Sequence, residues 1–187
     1  MRKADPLKLD QVRDEILRAA MELFTKYGID KTTMENIAEA AGKGKSTLYY
    51  YFKTKEDVFS AAATVEHGKI LQLLEKELRA AKSAADKVRL FFRIHENSLR
   101  TKVKLYPIIF KESKKHIPLF HGLQRMNNTT EVRLFRSILD EGIASREFKS
   151  IKPEDCEQIA IAAISSLHAA QLNFLLDGKP GLCLTAH

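Results

Sequence analysis

From Gly42 to Lys55 the chain reads Gly-Lys-Gly-Lys-Ser-Thr-Leu-Tyr-Tyr-Tyr-Phe-Lys-Thr-Lys, with four lysines and no acid, whereas the stretch from Asp10 to Ala41 carries more acids than bases. Cationic, hydroxyl and aromatic groups concentrated in this way suit a polyanion. Lysine ammoniums and Ser, Thr and Tyr hydroxyls bind phosphate oxygens and fix register, while Lys45, Ser46, Thr47 and Tyr50, near a helix start, can reach base edges. Free N–H groups where helices begin near Thr33, Lys45 and Lys55 add to the preference for phosphate. The alternative is that Tyr49, Tyr50 and Tyr51 are core and the lysines a solvated face. Three consecutive residues span about 200° of a helix, so at least one ring points outward beside the lysines.

A second set lies in the middle of the chain. Phe91, Phe92, Leu99, Tyr106, Phe110 and Met126 supply apolar wall for a small-molecule pocket, and His95, His168 and Gln171 supply polar anchors. Each aromatic reads equally as plain core, and His95, on an apolar stripe, as a core histidine bonded to a carbonyl. The basic cluster from Arg100 to Lys115 reads as a solvated face or as an attractor of anions. No catalytic arrangement is present: histidines 67, 95, 116, 121, 168 and 187 form no His-x-x-x-His or Glu-x-x-His pair, and there is no phosphate-binding glycine loop or nucleophile elbow. Neither an enzyme nor a cofactor is expected. Cys156 and Cys183 are too few and too far apart for a disulfide framework or a zinc site, so no metal is expected unless the fold assembles one from distant residues.

The elements that must position these groups are helical. Val12, Ile16, Ala19, Leu23 and Tyr27 recur at three- and four-residue steps, with Asp10 as cap and Gly28 as exit. Thr32 and Glu35 read as the capping box of a short helix that ends at Gly42. Lys43 and Gly44 separate it from another, Lys45 to Tyr51, which is helix-turn-helix spacing. Thr54 with Asp57 caps a longer fourth helix, in which Gly68 reads as a close packing point or a flexible point. Further helices follow around Val88 to Leu99, after Pro107, from Pro118 to about Ala144, and from Pro153 to about Leu176. With no sustained period-two alternation, the chain reads as all-α. At 187 residues, 44% hydrophobic, it is long enough to bury a core without staples. No apolar run reaches 18 residues and the start has no apolar signal region, so no membrane span or secretion is expected and the protein should be cytoplasmic. The formal net charge of +7 agrees with a polyanionic partner without establishing one.

The Ala-Met-Glu-Leu-Phe stretch before Tyr27-Gly28, then Thr32-Thr33-Met34, Ile37-Ala38, Ala41-Gly42, and Lys45 to Phe52 with Lys55-Glu56 resemble, in that order, bacterial TetR-type transcriptional regulators. The resemblance runs from about Asp10 to Val58. It implies an N-terminal three-helix helix-turn-helix DNA-binding domain, residues 1–55, joined by a long fourth helix to a helical ligand-binding and dimerisation bundle, residues 56–187. It carries DNA contacts to Thr33, Lys45, Ser46, Thr47, Tyr49, Tyr50, Tyr51 and Lys55. Two positions depart from the family pattern. Lys43 replaces an aliphatic residue and would add a phosphate contact, and Gly44 replaces a Ser-like cap. The resemblance further implies a homodimer that binds double-stranded operator DNA as a repressor and is released by a small, largely apolar effector. The small-sided last helix agrees with dimerisation, and Ile159, Ala163, Ser166, Ala170 and Asn173 are its expected interface members, with Leu134 and Ile138 on the partner helix. A scaffold or nucleoid-associated protein without an effector, and a helical-bundle carrier, are the alternatives.

Overall fold

In a computed structural model, residues 6–105 and 107–177 are described, apart from the side chains of 6–8, 104, 105, 126, 127 and 175–177. Eight α-helices and one 3-10 turn occupy them: α1 (Pro6–Tyr27), α2 (Met34–Ala40), α3 (Lys45–Tyr51), α4 (Lys55–Ala80), α5 (Ala84–Leu105), α6 (Pro107–Glu112), α7 (Ile117–Ala144), the turn Pro153–Asp155, and α8 (Cys156–Asp177). The expected all-α architecture is the one found. Among the described residues no helix is long and apolar enough to cross a membrane.

Helix α1 begins at Pro6, so Asp10 lies inside it rather than capping it. It ends at Gly28, whose φ of 86° lies in the left-handed region and whose N–H donates to the Phe24 carbonyl at 2.9 Å. A Cβ at this position would collide with the Glu112 carboxylate, so the site excludes side chains for two separate reasons. Gly28→Ala should lower stability by about 1–2 kcal/mol from backbone strain alone, with a further loss as Glu112 is displaced. Urea unfolding at fixed protein concentration measures it, and an unchanged midpoint would contradict the close approach.

The box at the start of α2 lies one residue further on than expected. Thr33 is the N-cap and accepts from the Asn36 N–H, while the Asn36 side chain returns the bond to the Thr33 N–H. Thr32 cannot cap because its buried hydroxyl donates to the Gly28 carbonyl at 2.7 Å, answering an acceptor left open where α1 stops. Gly42, φ 63°, then closes α2 as Lys43 N–H reaches back to Ala38 O at 2.9 Å. Gly44 caps α3 without a side chain, and Thr54 with Asp57 caps α4 as expected. Gly68 lies within the unbroken α4 with nothing within 4 Å of where a Cβ would be, so it is not a close packing point.

Two hydrophobic clusters share α4. Its first turns place Val58, Phe59 and Ala62 against Ile16, Phe24, Ile37 and Leu48, and this cluster also holds Ile109 of α6. Its later turns place Leu74 and Leu78 against Phe91, Phe135, Ile138, Ala160 and Ile164. Motion of α4 is therefore felt in both clusters, because each is close-packed and the helix belongs to both.

Candidate functional site

On α3, Leu48 and the following Phe52 are buried and fix the helix to the first cluster. The opposite side faces solvent. Tyr50 is 74% and Tyr49 48% exposed, and Lys45 and Ser46 are exposed beside them, whereas Thr47 and Tyr51 are half-buried, with Tyr51 packed against the core. Two of the three tyrosines thus point outward. Lys45 lies 3.2 Å from Glu35, whose carboxyl is held below its usual range first by its own backbone N–H and then by this lysine. Thr33 is exposed, with its hydroxyl engaged in the cap. Two lysines are committed within the chain. Lys43 pairs with Glu15 of α1 at 2.6 Å, bracing the turn, and the Lys55 ammonium donates to the Ile29 and Asp30 carbonyls at 2.7 and 3.1 Å.

Between the two clusters lies a cavity of about 170 Å³. Of the residues expected to line it, His95, Leu99, Phe110, His168 and Gln171 do so. Phe91 and Phe92 do not. Phe91 is fully buried, and both rings pack edge-on against Phe135 with centroids at 5.1 and 5.5 Å, so they are core. Tyr106 and the side chain of Met126 lie outside the described residues. Apolar wall comes instead from Phe59, Ile70, Ile109, Phe120 and Leu123.

At the polar end, His95, His168 and Gln171 stand where the sequence reading put polar anchors, whereas Glu131 and His67 were missed. Glu131 of α7 is 1% exposed, with His168 Nε2 2.6 Å from one carboxylate oxygen and His67 and His95 Nε2 at 3.2 and 3.8 Å from the other. The 3.2 Å contact is not aligned as a hydrogen bond. His67 Nε2, His95 Nε2 and Glu131 Oε1 are all buried without a hydrogen-bond partner among the described residues. Burial pushes His67 below its usual range and His95 to about 4, against the pull of Glu131. Burial alone would raise Glu131, but the hydrogen bond from His168 and the three imidazoles carry it below normal. Burial likewise lowers Lys102 on the same wall, opposed by Glu66 and Glu131. An acid four residues before Phe135 and seven before Ile138, on the apolar stripe of α7, was the available sequence signal.

The cavity is joined to the α1–α2 loop through α6. Ile109 and Phe110 line the cavity, and Glu112, at the end of the same short helix, accepts from the Ile29 and Asp30 N–H groups at 2.6 and 3.3 Å. Asp30 in turn meets Lys115 and His116 at 2.8 Å each, and Lys115 first, then His116, holds its carboxyl below the usual range. The loop between α1 and α2 is thus held by α4 through Lys55 and by α6 and the turn after it.

The residues expected at a dimer face divide between packing within the chain and exposure to solvent. Ile138 is buried in the second cluster, and Leu134, Ile159 and Ala163 pack against it, because α7 and α8 use those sides on each other. Ala170 is half-buried, while Ser166 and Asn173 are exposed. The exposed stripe of α8 runs Gln158, Ile161, Ala162, Ser165, Ser166, Ala169, Asn173, at steps of three and four residues.

Residues 16–62 match the family model for bacterial regulatory proteins of the tetR family. The chain is 36% identical over 97 residues to the HTH-type transcriptional regulator QacR of Staphylococcus aureus (strain Mu50 / ATCC 700699), a match covering 52% of this chain and 50% of that protein. It is 30% identical over 142 residues to the uncharacterized HTH-type transcriptional regulator YhgD of Bacillus subtilis (strain 168), covering 74% and 73%. A solved structure of RolR in complex with resorcinol superposes with a TM-score of 0.68 at 21% identity, over 92% of this chain and 83% of its own length.

Proposed function

Because the chain belongs to the tetR family of bacterial regulatory proteins, we propose that it acts as a homodimeric repressor, cytoplasmic, that leaves a palindromic operator when a small effector enters the cavity. The division into a DNA-binding unit, 1–55, and a ligand-binding and dimerisation unit, 56–187, is part of this reading. The observation that carries it is the double engagement of α6, which walls the cavity with Ile109 and Phe110 and grips the α1–α2 loop with Glu112. An effector that moves α6 moves the DNA-binding helices with it. A hundredfold loss of operator affinity requires only about 2.7 kcal/mol of differential ligand binding between the two states. The volume limits the effector: a cavity of about 150 Å³ accepts a single benzene-sized ring, and this one, about 170 Å³, is of that order.

Two α3 helices would enter successive major grooves, about 34–36 Å apart or a multiple of it. Selection from random duplex DNA at about 150 mM salt should enrich a two-fold symmetric motif with that half-site spacing. A folded protein that enriches no motif would end this reading. Tyr50→Ala, which removes the most exposed ring, should weaken operator and unrelated DNA alike, as loss of a phosphate contact does. Lys45→Ala should either reduce the salt slope by about 1 or relax preference at one base, according to whether the ammonium meets phosphate or a base edge. Salt-dependent anisotropy titrations of both variants separate these outcomes, and wild-type affinity in both would remove α3 from the interface.

A further inference from the structure

Four helices each send one metal-competent side chain to the polar end of the cavity: His67 from α4, His95 from α5, Glu131 from α7 and His168 from α8. We propose that these four residues bind a divalent transition-metal ion of the zinc class. The sequence hides such a site, since its ligands are scattered over about a hundred residues and no two have motif spacing.

Buried polar atoms are expensive unless something satisfies them. Here two imidazole nitrogens and one carboxylate oxygen are buried and unpartnered among the described residues, and all three belong to these four side chains. One cation would satisfy them together. Three nitrogens and one carboxylate oxygen suit borderline ions such as zinc, whereas magnesium and calcium take oxygen. The three Nε2 atoms converge on Glu131, His168 at 2.6 Å from one oxygen and His67 and His95 at 3.2 and 3.8 Å from the other. No three of the four side chains yet bring ligand atoms within 4.8 Å of one another, whereas the donors of a tetrahedral site with bonds of about 2.0–2.1 Å lie about 3.3 Å apart, so binding requires the side chains to close on the ion. His168 would give up its hydrogen bond to Glu131 and bind through Nε2 as the neutral tautomer that carries its proton on Nδ1. The set is more open than a closed site, and the ion would draw α4, α5, α7 and α8 together around it. Lys102 opposes the added charge, with Glu66 facing it as counter-charge.

A rival group lies on the surface, where the ligand atoms of Asp30, Glu112 and His116 are within 4.8 Å of one another. Those groups are committed elsewhere: Asp30 to Lys115 and His116, Glu112 to two backbone N–H groups. The inner cluster alone combines burial with unpartnered donors.

The inference goes beyond the regulatory reading, and because its readout is metal binding rather than DNA binding, either can fail without the other. The full chain, stripped of metal with a chelator, is titrated with Zn²⁺ by calorimetry and with Co²⁺ followed by visible absorption. One ion per chain is expected, with the absorption of four-coordinate Co²⁺. His67→Gln and Glu131→Gln should weaken binding at least about tenfold, since even groups supporting metal ligands commonly matter that much, and His116→Gln should leave it unchanged. Should an inner variant fail to fold, the anomalous scattering map of Zn²⁺-grown wild-type crystals decides. A peak bounded by His67, His95, Glu131 and His168 supports the site. No binding by folded protein, binding lost only in His116→Gln, or a peak elsewhere overturns it.

Discussion

Phe91→Ala should lower the stability of the fold by about 3–5 kcal/mol, the range for removing a large aromatic from a close-packed core. The ring is fully buried, packs edge-on against Phe92 and Phe135 with centroids at 5.8 and 5.1 Å, and lies 4.8 Å from the His95 ring. Phe91 itself does not line the cavity, so the loss is borne mainly by the second cluster. For a chain of this length each kcal/mol moves the melting temperature by about 2–4 °C, which makes the effect large in a thermal scan at fixed protein concentration. Leu99→Ala is the comparison. Leu99 is half-buried and lines the cavity, so its truncation leaves fewer packed neighbours stranded and should cost distinctly less. Equal losses in the two variants would return Phe91 to the cavity wall.

This contrast marks how far the sequence could be read. Helical period identifies which face of an element is buried, and it placed Phe91, Phe92, His95 and Leu99 together on one side of α5. It does not say whether that side meets a neighbouring helix or an opening, because both present apolar atoms. Phe91 went one way and Leu99 the other. Capping chemistry was legible in part: Thr54 and Asp57 were found where read, the box at α2 shifted by one residue because the Thr32 hydroxyl was claimed by the carbonyl of Gly28, and Asp10, read as a cap, lies inside α1. Helix α3 was legible because its signal is local, one lysine, two hydroxyl residues and three tyrosines on seven residues. The polar end of the cavity was legible only in part: His95 and His168 were read as anchors, whereas His67 and Glu131, each alone on its own helix, mean little until four helices bring them together. Lys43 and Lys55 show a further limit, for a charge near α3 looks the same in sequence whether it is free or already spent on Glu15 or on the Ile29 carbonyl.

In the proposed homodimer, Ile161→Asp should leave a monomer and weaken operator binding on the order of a hundredfold, the lower end of what linking two binding modules contributes. Ile161 is 38% exposed, an unusual position for a large aliphatic side chain, and it stands on the stripe with Ala162, Ser165, Ser166 and Ala169, whose small side chains allow another helix to approach closely. A two-fold axis makes the contact self-complementary, so one substitution enters the interface twice. Each new carboxylate would be stripped of water without a partner, and that cost is several kcal/mol per buried ion. Far from the second cluster's packed side, the change should leave the helical content intact. Ile159→Ala makes the converse prediction: Ile159 packs against its own chain's second cluster, so stability should fall and stoichiometry should not. Light scattering across a dilution series and anisotropy on the selected operator read both effects. If Ile161→Asp remains dimeric, the stripe on α8 is not the contact, and the two recognition helices must be held at their groove spacing by some other surface.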